Sequence, residues 1–115
     1  MIVRNATTGT LISDDAKGCR SIFSKGIGLM FRRRVKRPLV MIFSKEQKIS
    51  LHMWFVFCPI DVIYLDRKKR VIETVENFRP FRYHISRRQA QFIIEMEHGT
   101  IKRHAIRIGD VIELK

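Results

Sequence analysis

The sequence predicts a β-dominated α+β domain, built as a strongly curved sheet or partly open β-barrel of about seven or eight short strands with one or two short helices. Two observations predict this class. Short β-branched, aliphatic and aromatic segments recur roughly every ten residues, with Gly, Pro, Asp or Ser turns between them. Long helical segments do not alternate with these strands, which argues against βαβ units.

Length and composition limit the class further. The chain has 115 residues, which predicts a single domain over 1–115. With 45% hydrophobic and 30% charged residues, the composition is typical of a folded globular protein. No signal peptide is recognisable, and the apolar stretch 51–65 is shorter than the roughly 20 residues that a membrane helix needs. We therefore expect a soluble, cytoplasmic protein without a membrane partner.

The N-terminal segment is expected to form two strands and a helix. Ile2–Arg4 and Leu11–Ile12 are predicted as strands on either side of a TTGT turn. Ser13–Asp15 offers side-chain acceptors for the first turn of a helix. The following residues, Ala16–Ser24, have weak helical spacing, although Gly18 lowers helix stability.

The middle of the chain contains its most apolar stretch. Pro38 ends any helix and precedes an extended segment, Leu39–Phe43. The polar residues 44–48 are predicted as a turn, and Ile49–Phe57 as a long strand that Cys58-Pro59 ends.

A hairpin is predicted next, because two aliphatic, β-branched segments flank a polar tip. We expect Val62–Leu65, the end of the strand Asp61–Leu65, to pair with Val71–Val75 and to leave Arg67–Arg70 exposed at the tip. The remaining predicted elements are a loop over Glu76–Pro80, a short strand over Arg82–Ile85, a central strand over Gln91–Met96, a short helix over Thr100–Ala105 and a closing strand over Val111–Leu114.

Positive charge dominates the composition. Lys and Arg number 23 against 11 Asp and Glu, which gives a formal net charge of +12. The segment Lys17–Arg37 contains basic residues and no acidic ones, so it attracts RNA, DNA or another polyanion, although a solvated basic face explains it equally well. The nucleic-acid hypothesis involves Arg32, Arg33, Arg34, Lys36, Arg37, Arg67, Lys68, Lys69 and Arg70.

Cysteine and histidine spacing does not indicate a metal site. Cys19 and Cys58 are far apart and neither belongs to a CxxC or Cys/His motif. The histidines are scattered along the chain. We therefore predict no metal and no cofactor, and we expect both cysteines to be reduced thiols.

Several spaced motifs resemble the DUF192 family of uncharacterised bacterial and archaeal proteins. They are GLMFR (28–32), MIF (41–43), LHMWFVFCPIDVIYLD (51–66), IIEMEHG (93–99) and IRIGDVIEL (106–114). The third motif is similar to the sequence found in the archaeal branch of the family. Many other members have a sequence closer to FWMKNT at the positions that match 50–57. The resemblance implies a small, mostly β fold and no mechanism.

Four residues are candidates for ligand contact: Arg32, His52, Trp54 and Asp61. Strand alternation places His52 and Trp54 on one face and the apolar Met53 and Phe55 on the core face. Arg32 completes GLMFR, and a structural pairing of its guanidinium with Asp61 or Asp66 is favoured over anion binding. Asp61 follows a proline turn, where a carboxylate commonly accepts backbone amides.

No catalytic residues are assigned. Asp61 and Asp66 are five residues apart, so on one strand they point to opposite faces about 16 Å apart. The leading hypothesis is a non-enzymatic β-rich domain that binds a small ligand or a protein on a concave sheet face. The alternatives are nonspecific binding to the nucleic-acid phosphate backbone and an unrecognised enzyme that uses His52 with Asp61 or His84.

Overall fold

The structure is a computed structural model that describes residues 1–20, 37–52, 58–79 and 82–115, with only the backbone at residues 19, 20, 50–52 and 83. The described residues form ten strands in three sheets and one short helix. The strands are β1 (Val3–Asn5), β2 (Thr10–Ser13), β3 (Lys17–Arg20), β4 (Leu39–Gln47), β5 (Ser50–His52), β6 (Ile60–Leu65), β7 (Val71–Phe78), β8 (Tyr83–Ile85), β9 (Ala90–Glu97) and β10 (Ile112–Leu114), and the helix is α1 (Thr100–Arg103).

The largest sheet has five strands in the order β3-β4-β9-β6-β7. β3 runs parallel to β4, and the other neighbours are antiparallel. A three-stranded sheet, β10-β1-β2, and a two-stranded ribbon, β5-β8, complete the architecture. The sheets are strongly curved but do not close, so the predicted class, a β-dominated α+β fold with a partly open barrel, is confirmed.

Both faces of the five-stranded sheet are covered. Because side chains alternate across a strand, Ile60, Val62 and Tyr64 of β6 belong to one buried cluster, whereas Ile63 and Leu65 belong to the other. The first cluster includes Ile49, which leads into the β5-β8 ribbon. The second cluster includes residues of the three-stranded sheet and of α1. β6 therefore separates a ribbon side from a helix side.

The predicted pairing of Val62–Leu65 with Val71–Val75 in a hairpin is confirmed. Val62 pairs with Val75 and Leu65 pairs with Val71. The prediction that 91–96 is a central strand is also confirmed, because β9 lies between β4 and β6. The short helix expected after His98-Gly99 forms at Thr100–Arg103.

The predicted helix over 16–24 is wrong where the structure describes it. Lys17–Arg20 forms β3, which pairs with Leu39–Ile42. Ser13 and Asp15 form a local turn instead of a helix cap, since the Ser13 hydroxyl donates to Asp15 at 2.8 Å and accepts from its backbone N–H. Pairing with a distant strand outweighs a weak helical pattern that contains Gly18.

Two strands are longer than the sequence indicates. The predicted turn at 44–48 is mostly strand, because β4 continues to Gln47, which pairs with Ala90. The predicted loop at 76–80 begins with strand, because β7 continues to Phe78, which pairs with Ile60. In both cases the partner strand extends a segment whose own residues favour a turn.

Candidate functional site

A chain of hydrogen bonds crosses from the five-stranded sheet to the ribbon. The hydroxyl of Tyr64, on β6, lies 2.9 Å from Nδ1 of His84, on β8. Nε2 of the same imidazole lies 2.9 Å from Oε2 of Glu73, on β7. Oε1 of Glu73 in turn accepts the backbone N–H of Arg87 at 2.7 Å. We call Tyr64, His84 and Glu73 the polar relay.

The partners of the His84 ring determine the direction of the bonds in the relay. Tyr64 is completely buried, and this burial raises the pKa of its hydroxyl far above the ordinary value of 10.0, so the hydroxyl is neutral. The nearby carboxylates of Glu73 and Glu95 raise that pKa further. Because a carboxylate can only accept, Nε2 of His84 carries a proton and donates it to Glu73. In the neutral ring Nδ1 is then an acceptor, to which the Tyr64 hydroxyl donates.

The relay ends at a groove in the protein surface. The groove has a volume of about 470 Å³, which is within the usual range for small-molecule sites. Glu73 and His84 have side chains that are only 12% and 27% exposed, so they form its inner wall. We call this feature the β7 groove, and its lining residues are Ile72, Glu73, Thr74, His84, Arg87, Arg88 and Ile108.

A second polar centre lies on the helix side of β6. Asp61 is completely buried. Its Oδ1 accepts the backbone N–H of Asn77, and its Oδ2 accepts those of Gly99 and Ile101, all at 3.0 Å. Nδ1 of His98 lies 3.1 Å from Oδ1. Asp61 therefore connects β7 and the start of α1 to β6.

These bonds keep Asp61 ionised in spite of its burial. Burial alone would raise the pKa of the carboxyl group. The backbone N–H groups of Asn77 and Ile101 favour the charged form, as do the His98 imidazole and the Gly99 N–H, and together they outweigh burial. The pKa of Asp61 consequently lies below its ordinary value of 3.8.

The structure describes only two of the four predicted ligand contacts. Arg32 and Trp54 lie outside the described residues. The backbone of His52 is part of β5 and pairs with Tyr83 of β8, next to the pair formed by Leu51 and His84. Asp61 accepts backbone amides as the sequence indicates, but from two distant segments, β7 and the start of α1, rather than from the proline turn. A ligand role for these four residues stays a prediction.

The basic residues of the nucleic-acid hypothesis are partly described. Arg33, Arg34 and Lys36, like Arg32, lie outside the described residues, and Arg37 is exposed. At the hairpin tip Arg67, Lys68 and Arg70 are exposed and Lys69 is half-buried, with its ammonium 5.9 Å from the centre of the Phe92 ring.

Asp66 shapes this hairpin tip. Its Oδ1 accepts the backbone N–H groups of Lys68 and Arg70 at 2.9 and 3.0 Å. Its backbone oxygen also accepts the N–H of Lys69. The tip therefore presents its basic side chains from a hydrogen-bonded turn, as the sequence predicts for an aspartate at this position.

Within the described ranges, no three His, Cys, Asp or Glu side chains form a group that could hold a metal ion. A helix that could span a bilayer is likewise absent from the described residues.

Sequence reasoning missed Tyr64 and Glu73 as functional candidates and named His84 only within the enzyme alternative. One signal was available for Tyr64, because alternation along 60–65 directs it toward the core, and a buried tyrosine hydroxyl usually needs a partner. The hairpin register also places Glu73 opposite Tyr64. The position of His84 depends on how β8 packs, which no local pattern specifies.

The fold and the groove together define a small β-dominated α+β domain with a polar relay beneath an open surface cleft. A family model, DUF192, described as an uncharacterized ACR, matches residues 3–114. The chain belongs to this family, whose function is uncharacterised.

Archaeal relatives are similar over almost the whole chain. A UPF0127 protein of Thermococcus sibiricus is 33% identical over 111 residues, which cover 95% of this chain and 71% of the relative. A UPF0127 protein of Pyrococcus furiosus is 30% identical over 111 residues, which cover 95% and 94% respectively. These relatives agree with the resemblance to the archaeal branch.

Two solved structures have the same fold. A protein of unknown function from Novosphingobium aromaticivorans aligns with a TM-score of 0.87 at 19% identity, over 99% of this chain and 84% of the other. A protein of Sinorhizobium meliloti, described as a candidate transcription regulator, aligns with a TM-score of 0.84 at 21% identity, over 97% and 89%. At these identities the likeness concerns the fold alone.

Proposed function

We propose that this chain is a non-enzymatic binding domain whose ligand or partner occupies the β7 groove. The observation that carries this proposal is the polar relay at the inner wall. Each bond of the relay joins one protein group to another: Tyr64 donates to His84, His84 donates to Glu73, and Glu73 also accepts the Arg87 amide. Groups held in this way shape a surface and orient its walls.

The second buried polar centre supports the same proposal. Four donors surround the carboxylate of Asp61, and its pKa is lowered. A general base needs a pKa near the working pH, so a carboxyl group with a lowered pKa suits a structural role. The alternative of an enzyme that uses Asp61 is therefore less favoured.

A fragment screen followed by amide NMR tests this proposal. Small-molecule fragments should shift the amide signals of Ile72–Thr74, His84 and Arg87 more than those of β1 and β2. The variant Ile108→Lys should abolish these shifts, because Ile108 lines the groove and is 67% exposed. Val111→Lys is the matched control at an apolar side chain that is 39% exposed and does not line the groove. Shifts confined to another surface, or equal loss in both variants, would contradict the proposal.

A second candidate function is binding to the nucleic-acid phosphate backbone through the hairpin tip. Arg67, Lys68 and Arg70 are exposed on a turn that Asp66 holds by hydrogen bonds. The formal charge of +12 attracts polyanions to the chain in general. The Sinorhizobium meliloti protein described as a candidate transcription regulator shares the fold.

Salt-dependent binding to a DNA duplex tests this second function. The slope of log K against log salt concentration measures the number of phosphate contacts, with a contribution of about 0.9 for each neutralised phosphate. The triple variant Arg67→Gln, Lys68→Gln, Arg70→Gln should lower the magnitude of that slope by about 2 to 3. A control triple variant should keep most of the slope of the natural protein, although it makes the same charge change. Its substitutions are Arg79→Gln, Arg82→Gln and Arg107→Gln. Equal slopes in the two variants would refute the hairpin tip as the contact surface.

A further inference from the structure

The β7 groove has a cationic wall. The side chains of Arg87 and Arg88 are exposed and line it. Among the residues that the structure describes, no carboxylate forms an ion pair with either guanidinium. The bond from the Arg87 amide to Glu73, at 2.7 Å, fixes the backbone that carries these side chains. Two guanidinium groups on a fixed loop favour an oxyanion, since the planar guanidinium matches carboxylate and phosphate geometry.

Two isoleucine side chains also line the groove. Ile72 is half-buried, and Ile108 is 67% exposed, which is the largest exposed fraction among the exposed large hydrophobic residues described. Covering these isoleucine side chains removes apolar surface from water, which favours binding. A ligand with an apolar body would cover both isoleucines while its head group lies at the arginines.

The carboxylate among the described lining residues is already engaged within the protein. Both oxygens of Glu73 accept hydrogen bonds, from His84 and from the Arg87 amide. The exposed guanidinium groups of Arg87 and Arg88 are therefore where an anionic group is expected, and the apolar body is expected along Ile72 and Ile108.

We propose that the β7 groove binds an amphiphilic organic anion: a carboxylate or phosphate head group held by Arg87 and Arg88, with a short apolar body against Ile72 and Ile108. The assignment rests on the proposed function, because it names the ligand class of the same groove. A volume of about 470 Å³ accommodates a small organic acid.

Calorimetric titration of the full chain with four probes tests the ligand class. The probes are octanoate, octyl phosphate, the neutral octanamide and acetate, each below its micelle concentration. We expect octanoate or octyl phosphate to bind at least ~10-fold more tightly than octanamide and acetate, because only the first two carry both groups. Whichever of the two binds more tightly identifies the head group.

The failure of this assignment can be distinguished from failure of the proposed function. Equal binding of octanoate and octanamide, lost in Ile108→Lys, would overturn the anionic class and leave the groove as a binding site. Binding of no probe at all would overturn the ligand class, while the fragment screen would still decide on the groove.

Matched variants locate the anionic head group. Arg87→Gln with Arg88→Gln should remove the preference for octanoate over octanamide and leave the unfolding midpoint nearly unchanged, because both side chains are exposed. Arg79→Gln with Arg82→Gln makes the same charge change outside the groove lining and should keep the preference. Equal loss in both double variants would show a general charge effect and would overturn the assignment.

Discussion

The two sides of β6 carry polar centres that are built in opposite ways. On the helix side, Asp61 is completely buried, and three of its four partners are backbone N–H groups. On the ribbon side, Tyr64 is equally buried, but it joins side chains that reach a surface groove. The first centre joins elements of the fold to one another, and the second supports the wall of the β7 groove.

The histidines of the two centres also differ in how many other groups they connect. His98 is 48% exposed and contributes one of four bonds to Asp61. His84 is 27% exposed and connects two other side chains of the relay. Removing His98 therefore leaves most of its centre intact, whereas removing His84 divides the relay.

The largest expected effect comes from Asp61→Ala. It leaves the backbone N–H groups of Asn77, Gly99 and Ile101 without their acceptor, and a broken buried network of this kind costs about 3 to 5 kcal/mol in the free energy of unfolding. Urea denaturation measures the loss. Asp66→Ala is the matched control, because its two hydrogen bonds lie at an exposed turn and should contribute about 1 kcal/mol. Similar losses of unfolding free energy in the two variants would show that Asp61 is no more important to stability than an exposed turn residue.

The pH dependence of stability should follow Asp61. Its pKa is lower in the folded state than its ordinary value of 3.8, so its contribution is present above that value and is lost as the pH falls through the folded pKa. The free energy of unfolding should therefore fall more steeply below about pH 4 in the natural protein than in Asp61→Asn. Parallel acid titrations of the two proteins would contradict this assignment.

A smaller effect separates the two histidines. His84→Ala leaves the Tyr64 hydroxyl and one Glu73 oxygen without their partner and should cost about 1 to 3 kcal/mol. His98→Ala should cost less than about 1 kcal/mol, because Asp61 retains three amide donors. Thermal unfolding of both variants measures the difference. A greater loss in His98→Ala would reverse the proposed roles of the two sides.

Local patterns were sufficient for much of the fold. The hairpin between Val62–Leu65 and Val71–Val75 was predictable because both strands alternate and the tip is polar. The strand Gln91–Met96 was recognisable from the apolar residues Phe92–Ile94 at its centre, which suit a strand between two others. β3 was not predictable, because Lys17–Arg20 is a strand only through its parallel pairing with Leu39–Ile42.

The candidate site was harder to predict from the sequence than the strands were, because its contacts join elements that are distant in sequence. Tyr64 and His84 are 20 residues apart and meet only because the β5-β8 ribbon covers that face of the sheet. Asp61 was recognisable as an acceptor of amides, but its partners Gly99 and Ile101 come from a turn 38 and 40 residues later. Contacts of this kind follow from the packing of whole elements, which short motifs do not encode.

The protonation sites of the two imidazole rings test the central claim most directly. Two-dimensional ¹H–¹⁵N spectra of the histidine side chains, recorded at pH 8.5 where free imidazole is neutral, distinguish the tautomers. His84 should carry its proton on Nε2, because Tyr64 donates to Nδ1, and His98 should carry its proton on Nδ1, which donates to the ionised Asp61. The same tautomer at both rings, or a proton on Nδ1 of His84, would contradict the account.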